Sequence, residues 1–143
     1  MNIGKLHVLV IHFPIALAFC ALLADFLWLA TRKDKFRYAG IYCLVLGTIS
    51  ALPAVVTGLV VASGQEFVGD YLSILAAHKY WGIACFIAAV LAAIVRLSCR
   101  NELKKWWLVV YGILALAFVI SAAQAGHYGG MLVHGKNFMS NIF

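Results

Sequence analysis

Four stretches of the chain carry almost no polar residue, at about 9–31, 38–63, 78–98 and 106–130. Short polar runs divide them: Thr31-Arg32-Lys33-Asp34-Lys35, then Gly64-Gln65-Glu66, then Arg100-Asn101-Glu102. Each stretch holds about 20–25 residues, enough at 1.5 Å per residue to cross a hydrocarbon core of about 30 Å. Apolar and polar positions do not alternate over any sustained length, which excludes a membrane β-barrel. The pattern predicts an all-α, integral membrane four-helix bundle that runs up-down-up-down as a single domain over 1–143.

Composition supports lipid as the solvent. Of the 143 residues, 65% are hydrophobic and only 11% charged, more apolar surface than a soluble domain this small can hide. The net charge of +6 does not point to nucleic acid, because the basic residues sit in short runs between the apolar stretches. Arg32, Lys33, Lys35, Arg37, Arg96, Arg100, Lys104 and Lys105 flank the first and third connections and make up eight of the eleven. The opposite side holds Lys5, Lys79 and Lys136. The positive-inside rule therefore predicts a multi-pass protein of the bacterial inner membrane with both termini periplasmic. Trp28, Trp106 and Trp107 fit the inner interface, and Tyr71, Tyr80, Trp81 and Tyr128 the outer one. The first stretch is too long for a signal peptide, carries Asp25 and has no small-x-small cleavage site. Cys20, Cys43, Cys85 and Cys99 lack C-x-x-C spacing, and no disulfide is expected.

This topology makes the histidines a group. His12 and His78 lie near the starts of spans one and three, His127 near the end of span four, and His134 seven residues later, all at the outer depth. Gly129 and Gly130 are positioned to break the helix between the last two. Neutral imidazole is the commonest metal ligand and the usual axial ligand of b-type haem, so these four are the candidate ligands; His7, the outermost, is assigned to the headgroup region. Asp25, the only acid within a span, is expected to pair with Arg96 near the inner end of span three. Gly47, Ala51, Ala54 and Gly58 form a small-residue stripe on span two, for close helix approach or for room beside a porphyrin or quinone ring. Pro53 should kink that helix, with Ser50 or Thr57 available to the freed backbone groups. The connection at about 64–77 suits a helix start capped by Asp70, with Phe67, Tyr71, Ile74 and Leu75 as an interfacial lid. Phe138, Met139, Ile142 and Phe143 suit interfacial anchoring of the tail. The hairpins look faintly alike, His12 to Arg32 and His78 to Arg96. Nothing in the sequence supports hydrolytic or phosphoryl-transfer chemistry.

The segment His12-Phe13-Pro14-Ile15-Ala16-Leu17, followed by Asp25, resembles the start of a bacterial membrane family known as domain of unknown function 2231. His78 at the head of span three fits the same pattern, as does Gly126-His127-Tyr128-Gly129-Gly130-Met131-Leu132-Val133-His134-Gly135. The His-Gly ending resembles members fused to, or encoded near, c-type cytochromes, which implies respiratory electron transfer. Three readings follow. The first is a membrane-anchored b-type cytochrome with one or two haems ligated by pairs from His12, His78, His127 and His134, exchanging electrons with the quinone pool or a periplasmic cytochrome. In the second, the same histidines hold copper, zinc or iron directly. The third is a cofactor-free structural subunit of a respiratory membrane complex.

Overall fold

The computed structural model describes residues 3–64, 66–99 and 105–136. It consists of helices α1 (Ile3–Thr31), α2 (Asp34–Gly64), α3 (Tyr71–Ser98) and α4 (Lys105–His134), with no strand among the described residues. All four are long and apolar enough to cross a membrane. At 28 to 31 residues each helix is about 42–47 Å long, so it continues past a hydrocarbon core of about 30 Å. The apolar stretches mark the cores of the helices and not their ends. α1 starts at Ile3 rather than near 9, and α3 at Tyr71 rather than near 78.

The connections explain these ends. Arg32 takes a left-handed φ of 55° and its N–H donates to the Trp28 carbonyl at 2.8 Å, closing α1 just before α2 begins. Asp34, in the first turn of α2, pairs with Arg37 at 3.3 Å. α3 starts directly after Asp70, but the Asp70 side chain does not cap it. That carboxylate turns instead to Lys136, just beyond α4, while the Ser73 hydroxyl donates to the Asp70 carbonyl at 2.7 Å. Of the expected lid, Tyr71, Ile74 and Leu75 lie on α3 and Phe67 in the connection before it; Ile74 is buried, and Phe67 and Leu75 line the interior cavity. Both prolines lie inside continuous helices. Ser50 and Thr57 donate to the carbonyls of Gly47 and Pro53 at 2.9 and 2.7 Å, not to the Ile49 carbonyl that Pro53 leaves free. α4 runs unbroken through Gly129 and Gly130 to His134. The anchoring residues Phe138 to Phe143 lie outside the described residues.

α1 packs along α2 and α3 along α4, and α2 joins the hairpins to each other. The bundle has a tight half and an open half. In the tight half the small residues Ala18 and Ala21 of α1 and Ala88, Ala89, Ala92 and Ala93 of α3 share a buried core with Leu44, Tyr111 and Phe118. Small side chains permit this approach where lipid gives no hydrophobic drive for helices to associate. Bulky residues such as Leu9, Phe13, Phe26 and Tyr42 point outward instead.

A charge cluster ties this half together. Arg96 is fully buried and donates through Nε and Nη2 to Asp25 Oδ1 at 3.2 and 3.0 Å. The Tyr111 hydroxyl donates to Oδ2 at 2.7 Å, and the guanidinium lies 4.8 Å from the centre of the Trp28 ring. α2 contributes an absence of side chain: a Cβ on Gly40 would fall 2.6 Å from Asp25 Oδ1. All four helices therefore meet at one carboxylate.

Candidate functional site

Beyond Tyr111 the helices separate around an interior cavity of about 910 Å³. Cofactor and small-molecule sites typically occupy about 300–1,000 Å³. Its wall is mostly aliphatic and draws on all four helices, from Leu44, Ala92 and Tyr111 at the floor to Lys5, Lys79, Phe67 and Val133 near the mouth. Among the described residues no Asp or Glu lines it.

Two imidazoles come close to each other in the wall of this space. His7, on α1, and His78, on α3, are half-buried, with ring centres 6.4 Å apart and planes nearly perpendicular at 89°. Each ring is fixed at Nδ1. His78 Nδ1 lies 2.9 Å from the Ala125 carbonyl oxygen, which can only accept, so Nδ1 carries the proton. His7 Nδ1 lies 3.0 Å from Thr57 Oγ1, whose own proton goes to the Pro53 carbonyl, so this Nδ1 also donates. In both rings Nε2 is left with its lone pair, the tautomer that metal-ligating histidines adopt when a protein acceptor holds the other nitrogen.

Glycines make room for the rings. A Cβ on Gly58 would lie 2.9 Å from His7 Cε1, and a Cβ on Gly129 would lie 3.1 Å from His78 Cε1. The small-residue stripe of α2 shows the close helix approach expected of it, and at Gly58 a second use that the sequence did not suggest. At Gly47 an added Cβ would meet Leu17 Cβ at 3.2 Å, a close helix approach, whereas Gly58 is the seat of an imidazole.

The partners obey one offset. His7 and His78, Asp25 and Arg96, Gly58 and Gly129, and Gly40 and Tyr111 are each 71 positions apart. Within α1 and within α3, histidine and charged residue are separated by eighteen residues, five turns, which keeps them on one helix face. At this offset the hairpins match through His7 and His78, whereas the likeness seen along the sequence paired His12 with His78. Parallel internal repeats of this kind are a common way to build a membrane site between two halves.

The remaining histidines are placed differently. His12 lines the cavity but is exposed, and its Nδ1 donates back to the Val8 carbonyl at 2.6 Å. His134 lines the mouth and is also exposed. His127 does not line the cavity; it stands on the exposed side of α4 with its ring 5.4 Å from that of Tyr128. The four histidines chosen from sequence are thus not gathered into one set of ligands, and His7, expected in the headgroup region, is the one that meets His78. The cause is the early start of α1, which puts His7 inside a helix instead of ahead of it. Among the described residues no group of three or more His, Cys, Asp or Glu side chains is placed to hold a metal ion, and the four cysteines are free thiols.

The chain is thus a four-helix membrane protein whose mostly apolar interior holds two neighbouring imidazoles, one bonded to a backbone carbonyl and the other to a threonine hydroxyl. The chain belongs to the family described as a predicted membrane protein, domain of unknown function 2231, whose model matches residues 5–138. No curated protein and no solved structure matches it.

Proposed function

We propose that this protein is a b-type haem protein of the membrane, with His7 and His78 as the axial pair and electron transfer as its role. The observation that carries the reading is the separation of the His7 and His78 rings. Imidazole nitrogens bind such metals at about 2 Å, so two rings on opposite sides of one ion have centres roughly 6 Å apart; the separation here is 6.4 Å. One ring comes from each hairpin, which leaves the apolar space between hairpins for a flat, largely apolar macrocycle. The haem would supply a one-electron carrier, while the chain supplies the axial nitrogens, the fixed tautomers and a dry surround that sets the potential.

A directly held ion is the weaker reading. It needs three or four protein ligands, and no such group exists among the described residues. A porphyrin brings its own equatorial nitrogens and asks the protein for two. In the reading proposed, the histidine end faces the periplasm, because eight of the eleven basic residues flank the connections at the other end. The quinone pool and a periplasmic c-type cytochrome are then the natural electron partners.

The test is spectroscopic. Protein purified from cells supplied with haem should show a Soret band, a sharp α-band on reduction and stoichiometric pyridine haemochrome. His7→Ala and His78→Ala should each abolish the low-spin spectrum, and His127→Ala should leave it unchanged. Wild-type protein without a Soret band would refute the proposal.

A further inference from the structure

The cavity that holds the imidazole pair has a charged rim of one sign. Lys5 lies two residues before His7 and Lys79 directly follows His78, and both side chains line the cavity near its mouth. Both residues are exposed, so each aliphatic stem can lie against the apolar wall while the ammonium reaches the water. The described acids are committed elsewhere or lie off the wall. Asp25 is held by Arg96, Asp34 by Arg37 and Asp70 by Lys136, while Glu66 does not line the cavity. Among the described residues neither Lys5 nor Lys79 has a carboxylate within ion-pairing distance. The third cation at this end, Lys136, is already neutralised by Asp70.

We infer that Lys5 and Lys79 form a dicarboxylate site at the mouth, which takes the two propionates of the porphyrin and so fixes which edge of it faces the water. This inference rests on the haem reading of the same cavity. The chemistry is that of an amphiphilic dianion. Its apolar body is favoured inside the aliphatic wall, whereas its carboxylates cannot follow without a large desolvation cost. Two ammonium groups at the rim, uncompensated by any acid on the wall, give those carboxylates charge-assisted partners where water still reaches them. The imidazoles set the metal between the hairpins, and the lysines choose the rotation of the ring about that axis.

The experiment compares uptake of haem and of its dimethyl ester by purified, haem-free protein in detergent. Wild-type protein should bind the free acid about tenfold more tightly than the ester, the level that two partly exposed ion pairs support. In Lys5→Gln/Lys79→Gln the preference should vanish while the Soret and α-band positions stay those of bis-imidazole haem, and Lys5→Arg/Lys79→Arg should restore it. Equal affinity of wild-type protein for acid and ester overturns the inference and leaves the haem reading standing. A glutamine variant that keeps the preference overturns it in the same way. If wild-type protein takes up neither compound, the haem reading falls and the propionate site falls with it. The wild-type comparison needs no variant, so a folding failure in the double substitution does not remove the test.

Discussion

Gly58→Ala tests the histidine seat directly. The new Cβ would lie 2.9 Å from His7 Cε1 and 3.4 Å from Nδ1, inside the 3.5–4.0 Å at which carbon atoms rest. The ring must retreat by about 0.5–1 Å to restore ordinary contact. Its bond to Thr57 is 3.0 Å long and does not survive such a move, which costs about 0.5–1.5 kcal/mol. Against this, alanine is favoured over glycine inside a helix by about 0.8–1.0 kcal/mol. The two terms nearly cancel, so the unfolding midpoint should hardly change while the imidazole is displaced. Protein labelled with ¹⁵N-histidine in detergent micelles reports the ring itself, and the His7 Nδ1–H resonance should shift or broaden. Gly126→Ala is the control, because a Cβ there meets nothing within 4 Å. An unchanged His7 signal in Gly58→Ala, or an equal shift in Gly126→Ala, would refute the seat.

Asp25→Ala leaves the Arg96 guanidinium buried without its counter-charge, and denaturant titration in micelles should register a loss of about 3–5 kcal/mol. Replacing both Asp25 and Arg96 by leucine should recover most of that loss, whereas Tyr111→Phe, which removes one bond to the carboxylate, should cost only about 1.5–3 kcal/mol. At the other end, the hydrogen bond from Lys136, helped by its positive charge, lowers the pKa of Asp70. The pair is therefore fully formed above the free aspartate value of about 3.9 and is lost as pH falls through the lowered one. A carboxyl ¹³C titration of Asp70 should show the lowered midpoint, and Lys136→Gln should return it to the ordinary aspartate range.

The number of the spans was legible because hydropathy reports where lipid must be. Helix ends were less so, because a helix can continue into the headgroup region with His7, Lys5 or Ser73 on it and lose no apolar contact. That one blind spot changes which histidines are seen together. It removes His7 and favours His127, which stands on the exposed side of α4 because the face of Ala122, Ala125 and Gly129 is the one turned inward. Rotation of a nearly uniformly apolar helix cannot be read from its own sequence, since no polar face marks the outside. A signal for His7 does exist. Comparing the chain with itself at an offset of 71 aligns His7 with His78, Asp25 with Arg96, Ala54 with Ala125 and Gly58 with Gly129. At this offset the faint likeness between the hairpins runs through His7.

The carboxylate shared by four helices also constrains how the protein is made. The first hairpin leaves the ribosome carrying Asp25, whose charge costs up to about 2.5–3.5 kcal/mol within a membrane. Its counter-charge, Arg96, is synthesised 71 residues later. Until α3 inserts, the first hairpin is a membrane segment with an unanswered acid, and the second alone would carry an unanswered base. Neither half is a comfortable resident of the bilayer by itself, so truncated or misassembled chains expose a charge that membrane proteases and insertion factors can detect. Joining the hairpins is thus the step that turns two poor membrane segments into one acceptable protein, and the same step brings His7 opposite His78.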